Sequence, residues 1–329
     1  MIRTKALVCS KLSEDMSCVQ LEILELEGPE ENEVLIKVKA AGLNRGGFIV
    51  GGVMHGSSTK PGGTEAAGDI IEVGKNIKGY SIGDKIMGRV LGKESGAFAE
   101  YTLIKDYQIM PIPKEYSYEE AAAIPVSFLA AYDAVITYGK LKEKEWVLIS
   151  AIPSAVGVAA LQISQVVKAN TIGTSSSKEK IRFLKEKGLD YGIQLPDGDL
   201  SKKLKDISQN GIDVVVNCLG GSIIKQCMES LAFKGRLIAV GYMDGINNVE
   251  IDFRKVHANR FSLHGVSNAK VAIDDIKETV NGFKSLILPA LEKRHIEPII
   301  DKVFDFDSIN EARIHMMTNK QIGKIVVKL

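Results

Sequence analysis

EWVLISAIPSAVGVAALQISQVVKANTIGTSSSKEK, residues 145–180, is the stretch around which the rest of the chain is organised. Its apolar run 146–149 is short enough for a buried strand, and a turn of small residues, 150–155, follows. Residues 156–167 are apolar almost all round, as a helix packed on a sheet would be. A second strand-like run, 171–174, then leads into three serines and a lysine-bearing segment. Strand, turn, helix and strand within this span make a βαβ unit. Ser154, Ala155, Val156 and Gly157 form the entry to its helix. There the free backbone N–H groups and the positive end of the helix dipole can hold a pyrophosphate. The turn falls short of a full G-x-G-x-x-G, because Ser154 and Ala155 stand where glycine is more usual; both are small enough to let a phosphate approach. A plain βαβ crossover that binds nothing fits the same residues.

Outward from this unit the pattern repeats. Strands are predicted at 146–150, 171–174, 191–194, 212–217, 236–240 and 261–265, with helices between them at 156–167, 178–187, 200–209 and 222–232. Six strands alternating with helices are the count of a complete doubly wound dinucleotide fold. Upstream, residues 1 to about 121 read as short strands separated by glycine-rich turns, which suggests a partly closed β-barrel. In that part 34–38 alternates Val34, Ile36 and Val38 with polar or small partners, predicting a half-buried strand, and 97–104 reads as a further one. Pro125 divides the helical stretch that follows into two. Downstream, helices are predicted at 273–291 and 308–319, an extended piece at 299–304 and a final strand at 323–329. The final strand has no place in the nucleotide domain as counted, so it is expected to return to the N-terminal one. The expected organisation is a barrel domain, 1–121, completed by 270–329, around a nucleotide-binding domain, 122–269.

The 329 residues carry 42 basic and 41 acidic side chains, a net charge of +1, which excludes the basic footprint of a duplex-binding protein. Local lysine clusters at 178–187 and 202–205 are interleaved with acids and read as solvated helix faces. The N-terminus does not read as a signal peptide, and the richest apolar region, 121–136, is interrupted by Pro125, Ser127 and Asp133, too soon to span a bilayer. The expected location is therefore the cytoplasm, without a membrane partner. Cys9, Cys18, Cys218 and Cys227 form no C-x-x-C pair and have no nearby histidine, so they are expected to be reduced packing residues.

Six pieces of sequence, AAGLNR (40–45), GGTEAAG (62–68), VGKNIKGYSIGDKI (73–86), GAFAEY (96–101), AIPSAVGVAALQ (151–162) and QIGKIVVKL (321–329), run in the order of one family. On them the chain resembles the medium-chain dehydrogenase/reductase superfamily, and within it the zinc-free quinone oxidoreductase (zeta-crystallin-like) branch. The resemblance implies an α/β protein: a Rossmann doubly wound parallel sheet domain plus a GroES-like β-barrel domain, assembled as a homodimer. Zinc-dependent members resemble this chain but supply a cysteine where it has Asn44, and a His-Glu pair where it has Thr64 and Glu65. Asn44 and Thr64 cannot replace a thiolate and an imidazole as zinc ligands, so no metal is expected. Without a Lewis acid, conjugated acceptors suit the site better than simple ketones or alcohols.

NAD sites usually place an acid at the end of the second strand, where it binds the ribose 2′-OH. This chain has Ser175, Ser176 and Ser177 there, followed by Lys178 and Lys180. The resemblance makes Lys180 a ligand of a 2′-phosphate, so NADPH is the expected cofactor; solvated helix lysines fit the same residues. It also places Asn44 near the nicotinamide ribose and the substrate, and Gly241, Tyr242, Val266 and Ser267 along the cofactor. Asn217, Cys218 and Leu219 end the fourth strand, at the edge of the sheet where ligands bind; Cys218 serves equally well as packing. Two departures stand out. Where relatives place a tyrosine about eleven residues after the asparagine, this chain has His55, either a proton donor or an exposed loop residue. Where they often place a threonine, it has Ala130.

These residues lead to an NADPH-dependent, zinc-independent reductase that transfers hydride to a quinone, enone or other conjugated carbonyl, with Asn44 and His55 as catalytic residues. Two alternatives stand beside it: an enoyl-thioester reductase of fatty-acid or polyketide metabolism, and an NADPH-binding protein with little catalysis.

Overall fold

The computed structural model describes residues 1–9, 19–45, 61–91, 95–195, 200–268 and 271–329. Their contacts divide the chain into two compact units, one formed by 1–126, 276–284 and 291–329, the other by 127–275 and 285–290.

The first unit begins with β1 (Ile2–Cys9) and β2 (Val19–Leu26), an antiparallel pair. Then come β3 (Glu33–Gly42), β4 (Glu65–Val73), β5 (Lys85–Arg89), β6 (Tyr101–Lys105) and β7 (Ile109–Pro111), followed by α1 (Tyr118–Ala122). Ser117 caps α1 in a capping box with Glu120. Pro125 starts the next helix, α2 (Pro125–Tyr132), at the one helical position where its missing N–H costs nothing.

The second unit is built on β8 (Trp146–Ile149), β9 (Asn170–Ser175), β10 (Tyr191–Gln194), β11 (Ile212–Asn217), β12 (Leu231–Ala239) and β13 (Ser262–Gly265). They form one parallel sheet in the order β10-β9-β8-β11-β12-β13. Helices α3 (Ala155–Val167), α4 (Lys178–Glu186), α5 (Leu200–Ile207), α6 (Ile224–Ser230) and α7 (Phe253–Asn259) connect or flank the strands. Six strands form as the sequence predicts, though β12 starts at Leu231, inside the predicted helix 222–232 rather than at 236; the sheet is a Rossmann sheet whose order reverses between β8 and β11. The continuous apolar runs of β8 and β11 follow from burial on both faces. Leu148, Ile172, Ile193, Val215 and Leu237 share one core with Cys227, which is free and fully buried, as expected of a packing cysteine.

The chain then returns through α8 (Ile273–Leu286), α9 (Leu288–Glu292), β14 (Ile300–Asp305), α10 (Ile309–Met317) and β15 (Lys324–Lys328). β15 pairs with β14 in parallel and with β3 antiparallel, Val327 lying opposite Ala41. The first unit's larger sheet runs β14-β15-β3-β4-β5-β7. β6 joins β3 beside residues 33–37, and β15 beside residues 40–42. Phe304, Ile309 and Val327 therefore lie in the same core as Leu7, Val34, Ile36 and Ile70.

Two expectations about this unit are corrected. Leu35, set on the far face of β3 from Val34 and Ile36, is 0% exposed, so β3 is buried on both faces there rather than one. Helix α1 packs on β3 and β4. The strand predicted at 97–104 is regular only from Tyr101. Residues 97 and 98 instead exchange backbone bonds with separate segments: Phe98 N–H donates to the Gly62 carbonyl, and its carbonyl accepts from Leu7 N–H.

Candidate functional site

In the second unit, β8 ends in a turn closed by Ser154 N–H donating to the Ala151 carbonyl, with Ala151 in the left-handed region at φ 46. Ile152 N–H donates to the Thr174 carbonyl and ties the turn to β9. Ser154 is the N-cap of α3, its Oγ accepting from Gly157 N–H at 3.1 Å. A side chain at Gly157 is excluded, because its Cβ would lie 2.6 Å from the Ile152 carbonyl oxygen. The N-terminal turn of α3 is thus drawn tightly onto the strand end, the arrangement that presents N–H groups to a pyrophosphate. These residues fit a dinucleotide.

The strands on either side of the order reversal are joined by Ser150 and Asn217, both buried. Ser150 Oγ donates to Asn217 Oδ1 at 2.8 Å and accepts from the N–H groups of Cys218 (2.9 Å) and Leu219 (3.0 Å). Asn217 Oδ1 also accepts from Gly220 N–H, and its Nδ2 donates to the Gly220 carbonyl. The loop after β11 is therefore held in one shape. Cys218 lies against Ser154: burial pushes its thiol up to about 12, and the Ser154 hydroxyl offsets only part of that. A thiol so placed is neutral and serves as packing beside the turn.

Gly241 N–H donates to the Asn217 carbonyl, and Val266 N–H to the Ala239 carbonyl, so both lie at the carboxyl ends of their strands. Val266 is buried, while Tyr242 and Ser267 are exposed. The segment after β12 is clasped by Asp244, which accepts from Ser222 Oγ (2.6 Å), Ser222 N–H (2.9 Å) and Ile246 N–H (2.9 Å). Burial raises its pKa, but the Ser222 bonds outweigh that and hold the carboxyl below the usual range. At the end of β9, Ser177 caps α4 through Lys180 N–H and also donates to Glu179. Ser175 Oγ accepts from Ser177 N–H. The exposed serine of the three is Ser176.

In the first unit, Asn44, Glu65, Thr64 and Lys324 form one polar cluster. Asn44 Nδ2 donates to Glu65 Oε1 at 2.7 Å and to Thr64 Oγ1 at 3.1 Å. Lys324 Nζ donates to Asn44 Oδ1 at 2.7 Å and pairs with Glu65. The second Glu65 oxygen accepts from Val126 N–H at 2.7 Å. Gly42 makes room: a Cβ there would lie 2.6 Å from both Glu65 Oε1 and the Ala122 carbonyl. Arg45 anchors the next residue by donating to the Met316 carbonyl and to Asn319.

The structure thus gathers Ser154, Ala155, Val156, Gly157, Cys218, Gly241 and Val266 at the carboxyl edge of one sheet, with Ser176, Ser177 and Lys180 at the end of β9. Asn44 belongs to the other unit. His55 and the rest of 46–60 lie outside the described residues. Sequence reasoning missed Ser150, Asp244 and Lys324. The first two partner backbone groups brought to them by the fold. Lys324 carries one visible signal, a lysine opening an otherwise apolar strand. Among the described residues no group of three or more His, Cys, Asp or Glu is placed to hold a metal, and no helix is long and apolar enough to cross a membrane.

A GroES-like unit combined with a Rossmann sheet defines a nucleotide-dependent oxidoreductase. Two family models match, the alcohol dehydrogenase GroES-like domain over residues 30–114 and the zinc-binding dehydrogenase over 155–285. The chain belongs to the medium-chain dehydrogenase/reductase superfamily, whose dehydrogenases bind a nicotinamide cofactor. It is 28% identical over 319 residues to the quinone oxidoreductase of Lama guanicoe, covering 94% of each chain. It is also 28% identical over 315 residues to the human synaptic vesicle membrane protein VAT-1 homolog, covering 91% of this chain and 79% of that one. Among solved structures it shares the fold of the CurK enoyl reductase, with a TM-score of 0.82 at 23% identity over 99% of both chains.

Proposed function

We propose that this protein is an NADPH-dependent, zinc-independent reductase acting on a quinone, enone or other conjugated carbonyl. The observation that carries the reading is the cluster of Asn44, Thr64, Glu65 and Lys324. Asn44, Thr64 and Glu65 stand at positions where the resemblance places zinc ligands, and the Lys324 ammonium already neutralises Glu65. A divalent cation set against that ammonium would be repelled, and amide and hydroxyl are poor zinc donors.

The α3 turn, Ser154 to Gly157, would hold the pyrophosphate. Ser176, Ser177 and Lys180 would hold the 2′-phosphate, with serines rather than an acid at residues 175–177 and Glu179 bonded to Ser177. Gly241, Tyr242, Val266 and Ser267 would border the nicotinamide half. Asn44 offers Oδ1 as an acceptor suited to a ribose hydroxyl. When bound, NADPH supplies hydride from nicotinamide C4. The protein's own part is to fix the acceptor and stabilise the charge that builds on its oxygen. Similarity to a quinone oxidoreductase supports the acceptor class. A homodimer in the cytoplasm completes the reading, and sedimentation of the purified chain tests its stoichiometry.

The function is tested by following reduced-nicotinamide absorbance with NADPH or NADH against quinones, enones and a 2-enoyl thioester. Turnover of quinones or enones with NADPH, unchanged by a chelator, is expected. Preference for the thioester would move the substrate to the enoyl class. Cofactor binding without turnover of any acceptor would refute the reductase reading. His55→Phe separates the two roles of that residue: a fall in turnover with intact cofactor binding is expected if it donates the proton.

A further inference from the structure

We infer that the Thr64 hydroxyl, and not the Asn44 amide, binds the carbonyl oxygen of the acceptor; this rests on the reductase reading above. The hydrogen bonds of the cluster fix the direction of every proton in it. Glu65 can only accept and an ammonium can only donate. Asn44 must therefore turn Nδ2 toward Glu65 and Oδ1 toward Lys324, as it does at 2.7 Å in each case. Its second amide proton goes to Thr64 Oγ1 at 3.1 Å. An amide has two N–H donors, and both are engaged. Asn44 cannot donate to a substrate without breaking a bond to a buried carboxylate.

Thr64 is left in the opposite condition. Its oxygen accepts from Asn44, so its single proton must point elsewhere, and among the described residues it meets no acceptor. Thr64 is half-buried, so a ligand can reach it. The chain Lys324 to Asn44 to Thr64 runs from a positive charge outward. Each bond polarises the next, and a hydroxyl that accepts a strong bond donates a stronger one. That is the behaviour required of a group facing developing negative charge.

Hydride adds to the carbon conjugated with the carbonyl, and the C=C electron pair shifts so that the carbonyl oxygen becomes an enolate oxygen. Thr64 stabilises that oxygen and keeps its own proton. The α-carbon then takes up one proton, from water or from the donor that His55→Phe tests above, so one hydride and one proton are added in all.

The test compares Thr64→Val, of nearly equal shape, with Thr64→Ser, which keeps the hydroxyl, using 2-cyclohexenone as the probe. Thr64→Val should lower kcat by about 10²–10³-fold, the usual effect of losing one such donor. Its NADPH affinity, read by fluorescence titration, should not change, and Thr64→Ser should stay within a few-fold of the parent. The ¹³C carbonyl resonance of bound 2-cyclohexenone should lie downfield in the parent and in Thr64→Ser, and return toward the free position in Thr64→Val. Thr64→Ala repeats the test should the valine variant not fold. An active parent with a fully active valine variant, or a downfield shift that survives the substitution, overturns the role of Thr64 alone. A parent that reduces no conjugated acceptor overturns it together with the reductase reading.

Discussion

Lys324 and Glu65 form an ion pair that solvent does not reach, their side chains being 2% and 0% exposed. Removing one partner of such a pair strands the other's charge, which costs about 3–5 kcal/mol. Lys324→Met should lower the urea midpoint of unfolding accordingly, read by circular dichroism. The double variant Lys324→Met with Glu65→Leu should recover much of the loss while leaving Asn44 without its anchors. A single variant as stable as the parent would show that the pair does not hold the cluster.

Ser150 bridges the ends of β8 and β11. Ser150→Ala leaves the buried N–H of Cys218 without its acceptor and weakens the bonding of Leu219. An unsatisfied buried donor costs about 1–3 kcal/mol. The expected outcome is a lower melting temperature and weaker NADPH binding by fluorescence titration. Equal melting temperatures would remove the bridge from the account of the loop.

Lys180→Ala should weaken NADPH binding by about 10–100-fold, the worth of one hydrogen bond to a charged group, and leave NADH binding nearly unchanged. Titration of both cofactors against the same variant decides it. Equal losses would mean that Lys180 does not meet a 2′-phosphate.

The cysteines set a limit on the alkaline side. Burial pushes the thiols of Cys218 and Cys227 up to about 12. An unfolded cysteine ionises near pH ~8.5. Above that value the unfolded state loses protons that the folded state keeps, so stability falls as pH rises. It is fully present below the unfolded value and is lost toward pH 12. Urea midpoints between neutral and alkaline pH should decline, and Cys227→Ala should flatten the decline. Native protein at neutral pH should be slow to react with iodoacetamide at either residue.

Asp244→Ala should loosen the segment after β12. Loss of the three bonds from Ser222 and Ile246 should raise hydrogen exchange at Ile246 and, through Gly241 and Tyr242, weaken NADPH binding. Unchanged exchange would show that the clasp is not what orders the segment.

The Rossmann strands were legible because each is an apolar run bounded by turn residues, and burial on both faces leaves no other use for such a run. The turn at Ser154 was legible from side-chain size and the helix that follows. The strand at 97–104 was misread because its composition suits a strand while its partners are divided among several segments of the chain, a fact of topology. Leu35 was misread because alternation reports one buried face and cannot show that the other is buried as well.

Local chemistry, written along the sequence, determined the strand count, the capped helix entry at Ser154 to Gly157, the serines and lysine after β9, and the amide and hydroxyl at Asn44 and Thr64. Only the tertiary structure decided what those residues face. Lys324 stands 280 residues from Asn44, and pairing of β15 with β3 is what delivers its ammonium to the amide. Hydrogen-bond direction is a property of neighbours in space. Which proton in the cluster is engaged, and that the one on Thr64 meets no acceptor among the described residues, could be settled only once those neighbours were in place.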